Sequence, residues 1–427
     1  MTTEERIVIT GMGAVTPVGI GVDQYWENLI EGRCGIGTIH GFNADDLAVR
    51  IAAEVRDFRP EEYIPGKLIR ETDAFTQFAF AAASEALGGG RPAEADRTGI
   101  VMGTAMSGVD TIASTQEILT NAVHKNVGPR FVPRILSNIA AAQIAIAYGI
   151  TGPSYTVSTA CASGGDAVSQ GAMLIAAGEA DAVLAVGADS TLCPLVIYSL
   201  ANARALSREN DHPEEACRPF DLDARGFVMG EGGGALILER ESHAKARGAR
   251  ILAELAGWAN NNDAWHVTSP IQDGHRAAEC MKRAIARAEI RPEQVDYVNA
   301  HGTGAAKSDE AESAAMEMVF GKGGAPGPEG SPGSGDGAEQ SRAPGPAIGS
   351  TKAATGHMMG GGGITEIIAC IKAIETGVLP PTLNLKNPIS ELDFVREKRT
   401  GQRIDTAMSN AFGFGGQNST IIVRRCE

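Results

Sequence analysis

Two kinds of hydrophobic pattern alternate along the chain. Short apolar runs predict buried strands over residues 6–10, 99–103, 180–188, 235–239, 251–258 and 295–300. Between these runs, apolar residues recur at the spacing of a helix face and predict helices over residues 24–31, 73–87, 274–288 and 310–320. Strands that alternate with helices are typical of an α/β protein, so we predict largely parallel sheets covered by helices.

One stretch, residues 151–178, combines a strand, a sharp turn and a helix. A β-prone run at 155–158 leads into Thr-Ala-Cys-Ala-Ser-Gly-Gly, and a helical pattern follows. Cys161 is thereby placed at a helix N-terminus, where unpaired N–H groups and the helix dipole favour negative charge. We therefore expect the pKa of Cys161 to be lowered and the thiol to be partly ionised, which is the nucleophilic form. The alternative is a buried structural cysteine.

Two histidine motifs further along the chain favour the nucleophile. Asn-Ala-His-Gly-Thr-Gly, which contains His301, directly follows a predicted strand. Ser-Thr-Lys-Ala-Ala-Thr-Gly-His contains Lys352 and His357 and opens into glycines and another apolar helix. Nucleophilic catalysis needs a base or a cation beside the thiol. Two histidines in such turns, together with Cys161 on its elbow, therefore predict a Cys-His-His site.

The order of these motifs resembles the β-ketoacyl-acyl carrier protein synthases, and most closely the elongating synthase II type. The resemblance covers nearly the whole chain and includes the segments 8–13, 218–221, 226–232 and 410–416. It implies a thiolase-like α/β fold with duplicated halves in a five-layered α-β-α-β-α arrangement. It also implies a decarboxylative Claisen condensation of malonyl-carrier protein with an acyl group on Cys161, in fatty acid or type II polyketide elongation.

The resemblance assigns roles to the motif residues. His301 and His357 match the family's two histidines, which as neutral imidazoles donate hydrogen bonds to the malonyl thioester oxygen. Lys352 matches the family's lysine, and Glu366, nine residues after His357, matches its charged partner. Together with Cys161, these residues are the implied catalytic set and its support.

Further matches concern the oxyanion hole and the acyl pocket. The backbone N–H groups of Cys161 and Phe414 would form the hole, and the glycines around Phe414 allow a ligand to approach the backbone closely. The alternative for this segment is an ordinary glycine-rich turn. Met106 and Leu200 match positions that line the acyl pocket, where the family often has Phe in place of Leu200.

Five residues match positions that contact the carrier protein or its phosphopantetheine arm. The resemblance places Thr268 and Thr303 against the arm. It places Arg70, Arg130 and Arg204 where the acidic carrier protein docks, although a solvated surface role is the alternative for these arginines. Acyl carrier protein is therefore the implied partner, and no further cofactor is expected because the substrates arrive on its phosphopantetheine.

Several positions depart from the family pattern. Ala305 stands where a second threonine is common, which predicts the loss of one hydrogen bond to the arm. The segment 128–133 is shorter than usual, and Leu200 is smaller than the common Phe. These departures indicate a synthase of specialised metabolism. Chain-length factors, the non-condensing relatives, lack the cysteine, so Cys161 argues against that class.

The chain also shows an internal echo. A Gly-Thr pair at 103–104 precedes Cys161, and a second Gly-Thr pair at 302–303 precedes His357. Cys161 and His357 each lie on a predicted strand-to-helix elbow. This echo predicts a duplicated unit, with an N-terminal half at 1–250 and a C-terminal half at 251–427; chance similarity is the alternative. Residues 321–346 are packed with Gly, Pro, Ser and Glu and predict a flexible insertion.

Composition narrows the remaining choices. The formal net charge of −15 argues against nucleic acid or an anionic membrane as the main partner. The seven cysteines have no paired spacing, which suggests neither a disulfide framework nor a zinc or other metal site. The polar N-terminus and the lack of a long apolar run predict no signal peptide and no transmembrane helix. We expect a cytoplasmic protein, either a homodimer or a heterodimer with a related synthase-like subunit.

Two other classes of protein stay open at this point. A thiolase that uses coenzyme A needs a second active-site cysteine, and the late Cys426 lies in the tail outside any glycine-rich elbow. A non-catalytic partner subunit of a polyketide synthase would not need the Cys-His-His set. The acyl chain length, the starter unit and the pathway are not predicted from the sequence.

Overall fold

The computed structural model describes residues 5–90, 92, 94–121, 127–321 and 345–426. Of the predicted insertion at 321–346, residues 322–344 lie outside the described residues, so its flexibility stays a prediction. The strands are β1 Ile7–Thr16, β2 Gly19–Ile20, β3 Ile36–Thr38, β4 Ile51–Ala53, β5 Thr98–Gly103, β6 Ser154–Val157, β7 Ala182–Asp189, β8 Gly232–Arg240, β9 Ala253–Asn262, β10 Tyr297–Asn299, β11 Ala347–Gly349, β12 Thr406–Gly413 and β13 Gln417–Arg424.

The helices include every one that the sequence pattern predicts, with their ends shifted by a few residues. They are α1 Val22–Ile30, α2 Gly66–Ile69, α3 Ala74–Ala86, α4 Val109–Asn121, α5 Phe131–Ile135, α6 Ile139–Tyr148, α7 Ser163–Ala176, α8 Pro194–Asn202, α9 Glu241–Ala246, α10 His275–Arg287, α11 Ala306–Phe320, α12 Lys352–Thr355 and α13 Gly362–Thr376. None of the helices in the described ranges has the length and hydrophobicity that crossing a membrane requires.

Most strands belong to one mixed sheet, in the order β11-β10-β12-β13-β9-β1-β8-β7-β5-β6. Its outer pairs are parallel, but every pair from β12 across to β7 is antiparallel. The prediction of largely parallel sheets is therefore wrong for the middle of the sheet. An apolar run indicates a buried strand but carries no information about its direction, and a hairpin such as β12–β13 reverses the chain within a few residues.

The sheet consists of two halves with the same topology. The order β6-β5-β7-β8-β1 in one half repeats as β11-β10-β12-β13-β9 in the other, with the same sequence of parallel and antiparallel pairs. The halves meet where β1 pairs with β9 through Val8 with Glu254 and Ile9 with Ala253. The duplication is confirmed in the fold, whereas the boundary at residues 250 and 251 stays a prediction.

Helices and half-sheets stack in five layers, as the family resemblance implies. Helices α3 and α6 cover one half-sheet, and α10 and α11 cover the other. Helices α7 and α13 lie between the half-sheets and contact each other and both of them. Small and apolar residues cover nearly all sides of these two helices, which suits a position buried on every side.

The central layer generates a stability prediction. Ile364 on α13 is fully buried, and its atoms lie against the backbone of Gly164, Gly187 and Gly234 in the opposite half. Ile364→Ala leaves a cavity that these glycines cannot fill, so we expect a loss of about 2–5 kcal/mol in the free energy of unfolding, measured by chemical denaturation. Met318→Ala on α11, where the side chain is 48% exposed, is the control and should change stability by less than about 0.5 kcal/mol. Equal losses in both variants would contradict the tight central layer.

Candidate active site

The nucleophile candidate lies on a strained turn between β6 and α7. Cys161 occupies a single 3-10 turn, Ala160–Ala162, and Ala160 before it has a φ of 51°, which is unusual for a residue other than glycine. Such strain is typical of functional turns. The thiol is buried, and α7 begins directly after the turn, so the predicted strand–turn–helix elbow is present.

His357 lies against the thiol. Its Nε2 atom is 3.0 Å from the sulfur of Cys161, although the two residues are 196 positions apart in the chain. The ring centre of His301 is 5.4 Å from that of His357, and the two rings are nearly perpendicular. Phe227 packs edge-on against the other side of His357. The structure therefore brings the three predicted residues into one cluster.

His357 is not, however, the structural counterpart of Cys161 in the second half. A 3-10 turn, Met359–Gly361, precedes α13 just as the Cys161 turn precedes α7, and Met359 has a φ of 48°. The residue equivalent to Cys161 is therefore Gly360. The predicted equivalence of Cys161 and His357 is therefore wrong. The second half has a longer connection between strand and turn, which contains α12, and His357 belongs to this connection.

The expected low pKa of Cys161 is also wrong. Burial, with a smaller contribution from the nearby charge of Asp189, raises the pKa of the thiol to about 11. The backbone N–H of Phe414, the charge of Lys352 and the N–H of Cys161 itself act in the opposite direction but are outweighed. Removing a charged group from water costs more here than the helix terminus provides. The resting thiol is protonated beside the imidazole.

Both histidines are neutral. Burial lowers the pKa of His301 and of His357 well below the ordinary value, and the positive charge of Lys352 lowers both further. A neutral imidazole has one N–H donor and one acceptor nitrogen, so each ring can donate one hydrogen bond to a substrate oxygen. In the part of the chain that the structure describes, the Nδ1 atoms of both rings are buried without a hydrogen-bond partner.

A buried ion pair stands behind the histidines. The ammonium group of Lys352 donates a hydrogen bond to the carboxylate of Glu366, and both side chains are almost fully buried. Burial raises the pKa of Glu366, and the charge of Lys352 opposes that shift. The pairing of Lys352 with Glu366 agrees with the sequence expectation and places the lysine charge next to the imidazoles.

Sequence analysis missed the carboxylates that hold the His301 loop. The two oxygens of Glu312 accept the backbone N–H groups of His301 and Gly302, each at 2.8 Å. Asp309 accepts those of Thr303 at 3.0 Å and Gly304 at 3.1 Å. The signal was present as Asp and Glu three residues apart, which lie on one face of a helix directly after the histidine motif.

The predicted oxyanion-hole segment reaches the nucleophile. Gly413 ends β12, and a Cβ atom added to it would lie 2.7 Å from the carbonyl oxygen of Thr159 and 3.0 Å from the nitrogen of Cys161. Glycine at this position lets the N–H of Phe414 point at the sulfur of Cys161. Two N–H groups, of Phe414 and Cys161, thus converge at the place where an acyl oxygen would develop charge.

The pocket and arm candidates lie at different depths. Leu200 is half-buried in the same apolar cluster as Cys161, and Met106 is 38% exposed. Thr303 is buried, and its hydroxyl accepts the N–H of Ala305 at 3.3 Å. Thr268 is exposed.

The three arginines predicted at the carrier surface are exposed. Arg70 ends α2, and Arg204 follows α8 with a φ of 58°. Arg130 forms an ion pair with Glu71 at 2.9 Å, which places it beside Arg70 in space. The structure does not bring these arginines into contact with Cys161. Within the described ranges, no group of three or more acidic, histidine or cysteine residues could hold a metal ion.

Comparisons with known proteins agree with this architecture. The family model "Beta-ketoacyl synthase, N-terminal domain" matches residues 4–244, and "Beta-ketoacyl synthase, C-terminal domain" matches 252–386. The chain is 38% identical over 430 residues to 3-oxoacyl-[acyl-carrier-protein] synthase 2 of Synechocystis sp., covering 99% of each chain.

Solved structures give the same result. The ishigamide ketosynthase/chain length factor is similar with a TM-score of 0.88 and 30% identity, covering 100% of both chains. A type II PKS acyl-carrier protein in complex with its ketosynthase bound to the hexaketide is similar with a TM-score of 0.84 and 31% identity, again over 100% of both chains.

The fold and the Cys-His-His cluster define a condensing enzyme of the thiolase-like class. With family models matching most of its length, the chain belongs to the beta-ketoacyl synthase family and is a β-ketoacyl-acyl carrier protein synthase, an acyltransferase.

The glycine contact at the nucleophile generates one prediction. Gly413→Ala should displace the N–H of Phe414, because the new Cβ would collide with the turn that carries Cys161. We expect acylation of Cys161 to slow by about 10²–10³-fold, the usual effect of losing one oxyanion donor. Single-turnover mass spectrometry measures this rate. Gly66→Ala is the control, since nothing lies within 4 Å of its added Cβ. An unimpaired Gly413→Ala enzyme would contradict the geometry.

The buried Glu312 generates a prediction on stability and pH. Burial raises its pKa from 4.5 to about 7. The folded protein therefore binds the Glu312 proton more tightly than the unfolded chain does, and this difference stabilises the fold at low pH. The stabilisation is lost as the pH rises through the interval between the two pKa values. Glu312→Gln removes this titration. The difference in unfolding free energy between parent and variant should fall by up to about 1.4 kcal/mol per unit from pH 5 to 7. A difference that stays constant over this interval would refute the assignment.

Proposed function

We propose that Cys161 is the acyl carrier of the condensation and that His357 moves its proton. The 3.0 Å contact between Nε2 and the sulfur carries this proposal. Because the thiol has a raised pKa and the imidazole is neutral, Nε2 takes the proton while the sulfur attacks the carrier-bound thioester. The bond from sulfur to the acyl carbon forms, the bond to the pantetheine sulfur breaks, and the leaving thiolate receives the proton.

The second half-reaction uses the neutral histidines as donors. Malonyl-carrier protein loses carbon dioxide, and the electron pair of the broken C–C bond forms an enolate. An N–H of His301 stabilises the enolate oxygen, and so does one of His357 in the tautomer that carries its proton on Nε2. Both rings are neutral, in line with their lowered pKa values. The enolate carbon attacks the acyl carbonyl on Cys161. The N–H groups of Cys161 and Phe414 hold the resulting oxyanion until the C–S bond breaks. The sulfur leaves as a thiolate and takes a proton from water, which restores the resting thiol.

We infer that acyl carrier protein delivers both substrates. Support comes from the similar ketosynthase structure, whose description includes its acyl-carrier protein. The exposed Arg70, Arg130 and Arg204 provide positive charge for an acidic partner on a chain whose net charge is −15. Thr303 and Thr268 are the candidates for the phosphopantetheine arm, and Met106 and Leu200 for the wall of the acyl pocket. Fatty acid and type II polyketide elongation both fit this set.

The edge of the sheet supports assembly with a second subunit. Strand β6 ends the strand order, and its Tyr155 is 51% exposed. Ile146 on α6 is 75% exposed and Met173 on α7 is 42% exposed, so this side has apolar residues as well as an open strand edge. Open edges and apolar surface are usually covered. A second copy or a related synthase-like subunit would cover them, and the similar ketosynthase/chain length factor is described as such a pair.

The two alternatives fit the structure less well. A thiolase would need a second cysteine at the site, but Cys426 lies beyond β13 in the tail. A non-catalytic partner subunit has no use for a cysteine in contact with His357, whereas this chain has that contact at 3.0 Å. Decarboxylation of malonyl-carrier protein by the purified chain separates the condensing enzyme from both.

Removal of the nucleophile tests the proposal directly. Cys161→Ala should abolish the mass increase that follows incubation with acyl-carrier protein, because the covalent bond forms on this sulfur. Cys193→Ala, which also removes a fully buried thiol, is the control and should still be acylated. Acylation at another residue in Cys161→Ala would overturn the assignment.

The histidines should separate the two half-reactions. His301→Ala should slow release of carbon dioxide by about 10²–10³-fold and leave acylation of Cys161 within a few fold, since it removes an enolate donor. His357→Ala should slow both steps, because its Nε2 contacts the sulfur as well. Stopped single turnovers with labelled malonyl and acyl groups measure the two rates, with the exposed His275→Ala as control. A His301 variant that fails only in acylation would show the roles to be wrong.

A further inference from the structure

A carboxylate without an assigned role lies under the acyl site. Asp189 ends β7 and is fully buried. One of its oxygens accepts the Thr104 hydroxyl at 2.8 Å and the Met106 N–H at 3.1 Å. The other accepts the Ala105 N–H and the Gly360 N–H, each at 2.8 Å. Burial raises the pKa of this carboxyl, but all four contacts are donors, which oppose that shift and favour the ionised form.

These four bonds join two segments that are far apart in the sequence. Residues 104–106 follow β5 and contain the pocket candidate Met106, whereas Gly360 lies in the turn that follows His357. The contact is tight, because a Cβ on Gly360 would be 2.7 Å from the Asp189 oxygen and 3.1 Å from the Ala105 nitrogen. Charge-assisted bonds of this kind are stronger than neutral ones and hold a backbone in one position.

We propose that Asp189 is a positioning residue that sets acyl-chain specificity, by fastening the turn that carries Met106 to the catalytic turn at Gly360. The proposal rests on the proposed function, in which Met106 lines the pocket of the acyl group on Cys161. While the hydrogen bonds of Asp189 are intact, the pocket wall stays in place and rejects acyl chains beyond a certain length. When these hydrogen bonds are lost, the 104–106 turn moves away and longer acyl chains are accepted.

The same carboxylate is close enough to act on the sulfur through its charge, since the Gly360 N–H that it accepts lies three residues after His357, whose Nε2 contacts the sulfur. The negative charge of Asp189 raises the pKa of Cys161, while Lys352 opposes it and His357 faces the thiol as a neutral ring. A substitution that removes the Asp189 charge should therefore lower the pH at which the thiol ionises. A purely structural role would not produce this change, so the thiol reports on the carboxylate independently of chain length.

Asp189→Asn and Thr104→Val test the proposal on the full-length protein. The amide of Asp189→Asn keeps one oxygen that accepts hydrogen bonds, but its NH₂ group faces two of the four donors and cannot accept from them. Thr104→Val removes only the hydroxyl donor and leaves the charge of Asp189 in place. Acylation of Cys161 by carrier-bound chains of graded length gives the ratio of rates for the longest accepted chain and the next longer one. We expect Asp189→Asn to lower this ratio by about tenfold, equal to about 1.4 kcal/mol, and Thr104→Val to lower it less.

The thiol is examined through the pH dependence of its alkylation by iodoacetamide. Asp189→Asn should shift the midpoint to lower pH, and Thr104→Val should not. The control is Glu85→Gln on α3, where the carboxylate of an exposed glutamate also accepts two backbone N–H groups, those of Ala14 and Val22. It should alter neither the length ratio nor the midpoint.

The outcomes distinguish the positioning role of Asp189 from the effect of its charge on the sulfur. An unchanged length ratio in both Asp189→Asn and Thr104→Val overturns the positioning role, and an unmoved midpoint in Asp189→Asn overturns the action on the sulfur. If Asp189→Asn fails to fold, the length ratio of Thr104→Val alone decides. Failure of the parent chain to be acylated by any carrier-bound chain would instead overturn the proposed function.

Discussion

The site depends on the close approach of two helix N-termini from different halves of the chain. Added Cβ atoms would lie 2.6 Å from the Gly360 carbonyl at Gly164 and 2.8 Å from the Gly165 nitrogen at Gly363, so glycine is required on both sides. This contact brings the Cys161 turn and the connection that carries His357 together. Because the half-sheets support the two helices from outside, the distance between sulfur and imidazole is determined by the central layer and does not depend on flexible loops.

Burial then determines the charge state of every reacting group. Exclusion of water raises the pKa of Cys161 and lowers the pKa of both histidines, so the resting site contains a thiol and neutral imidazoles. The charge of Lys352 strengthens the effect on the histidines, and Glu366 balances that charge. A site of this kind does not store a reactive thiolate. In the proposed reaction, the anion forms as the substrate arrives, when the converging N–H groups gain an oxygen to stabilise.

Hydrophobic pattern and motif order predicted β1, the strands from β5 to β10, helices such as α3 and α10, and the Cys-His-His cluster, because buried strands and glycine-rich turns leave local signatures. They did not predict β12 and β13. Strand direction was not predictable, since an apolar run such as that of β13 is the same in either direction. Asp189 was missed because it accepts backbone N–H groups of segments far away in the sequence, which follows from the tertiary fold. Asp309 and Glu312 accept those of the loop just before their own helix and were visible in the sequence only as an acidic pair after the histidine motif. The pKa of Cys161 was predicted in the wrong direction because the sequence shows its position at a helix terminus but not the extent of its burial.

The duplicated fold also explains why a single nucleophile suffices. The two halves offer equivalent strained turns, at Cys161 and at Gly360, but the second turn has no side chain. Its N–H donates to Asp189 at 2.8 Å, and a longer connection before it holds His357 against the sulfur of the first turn. One copy of the elbow therefore carries the Cys161 thiol, while the connection before the other copy places His357 against it. The proposed two-step acyl chemistry uses this asymmetry between the two duplicated turns.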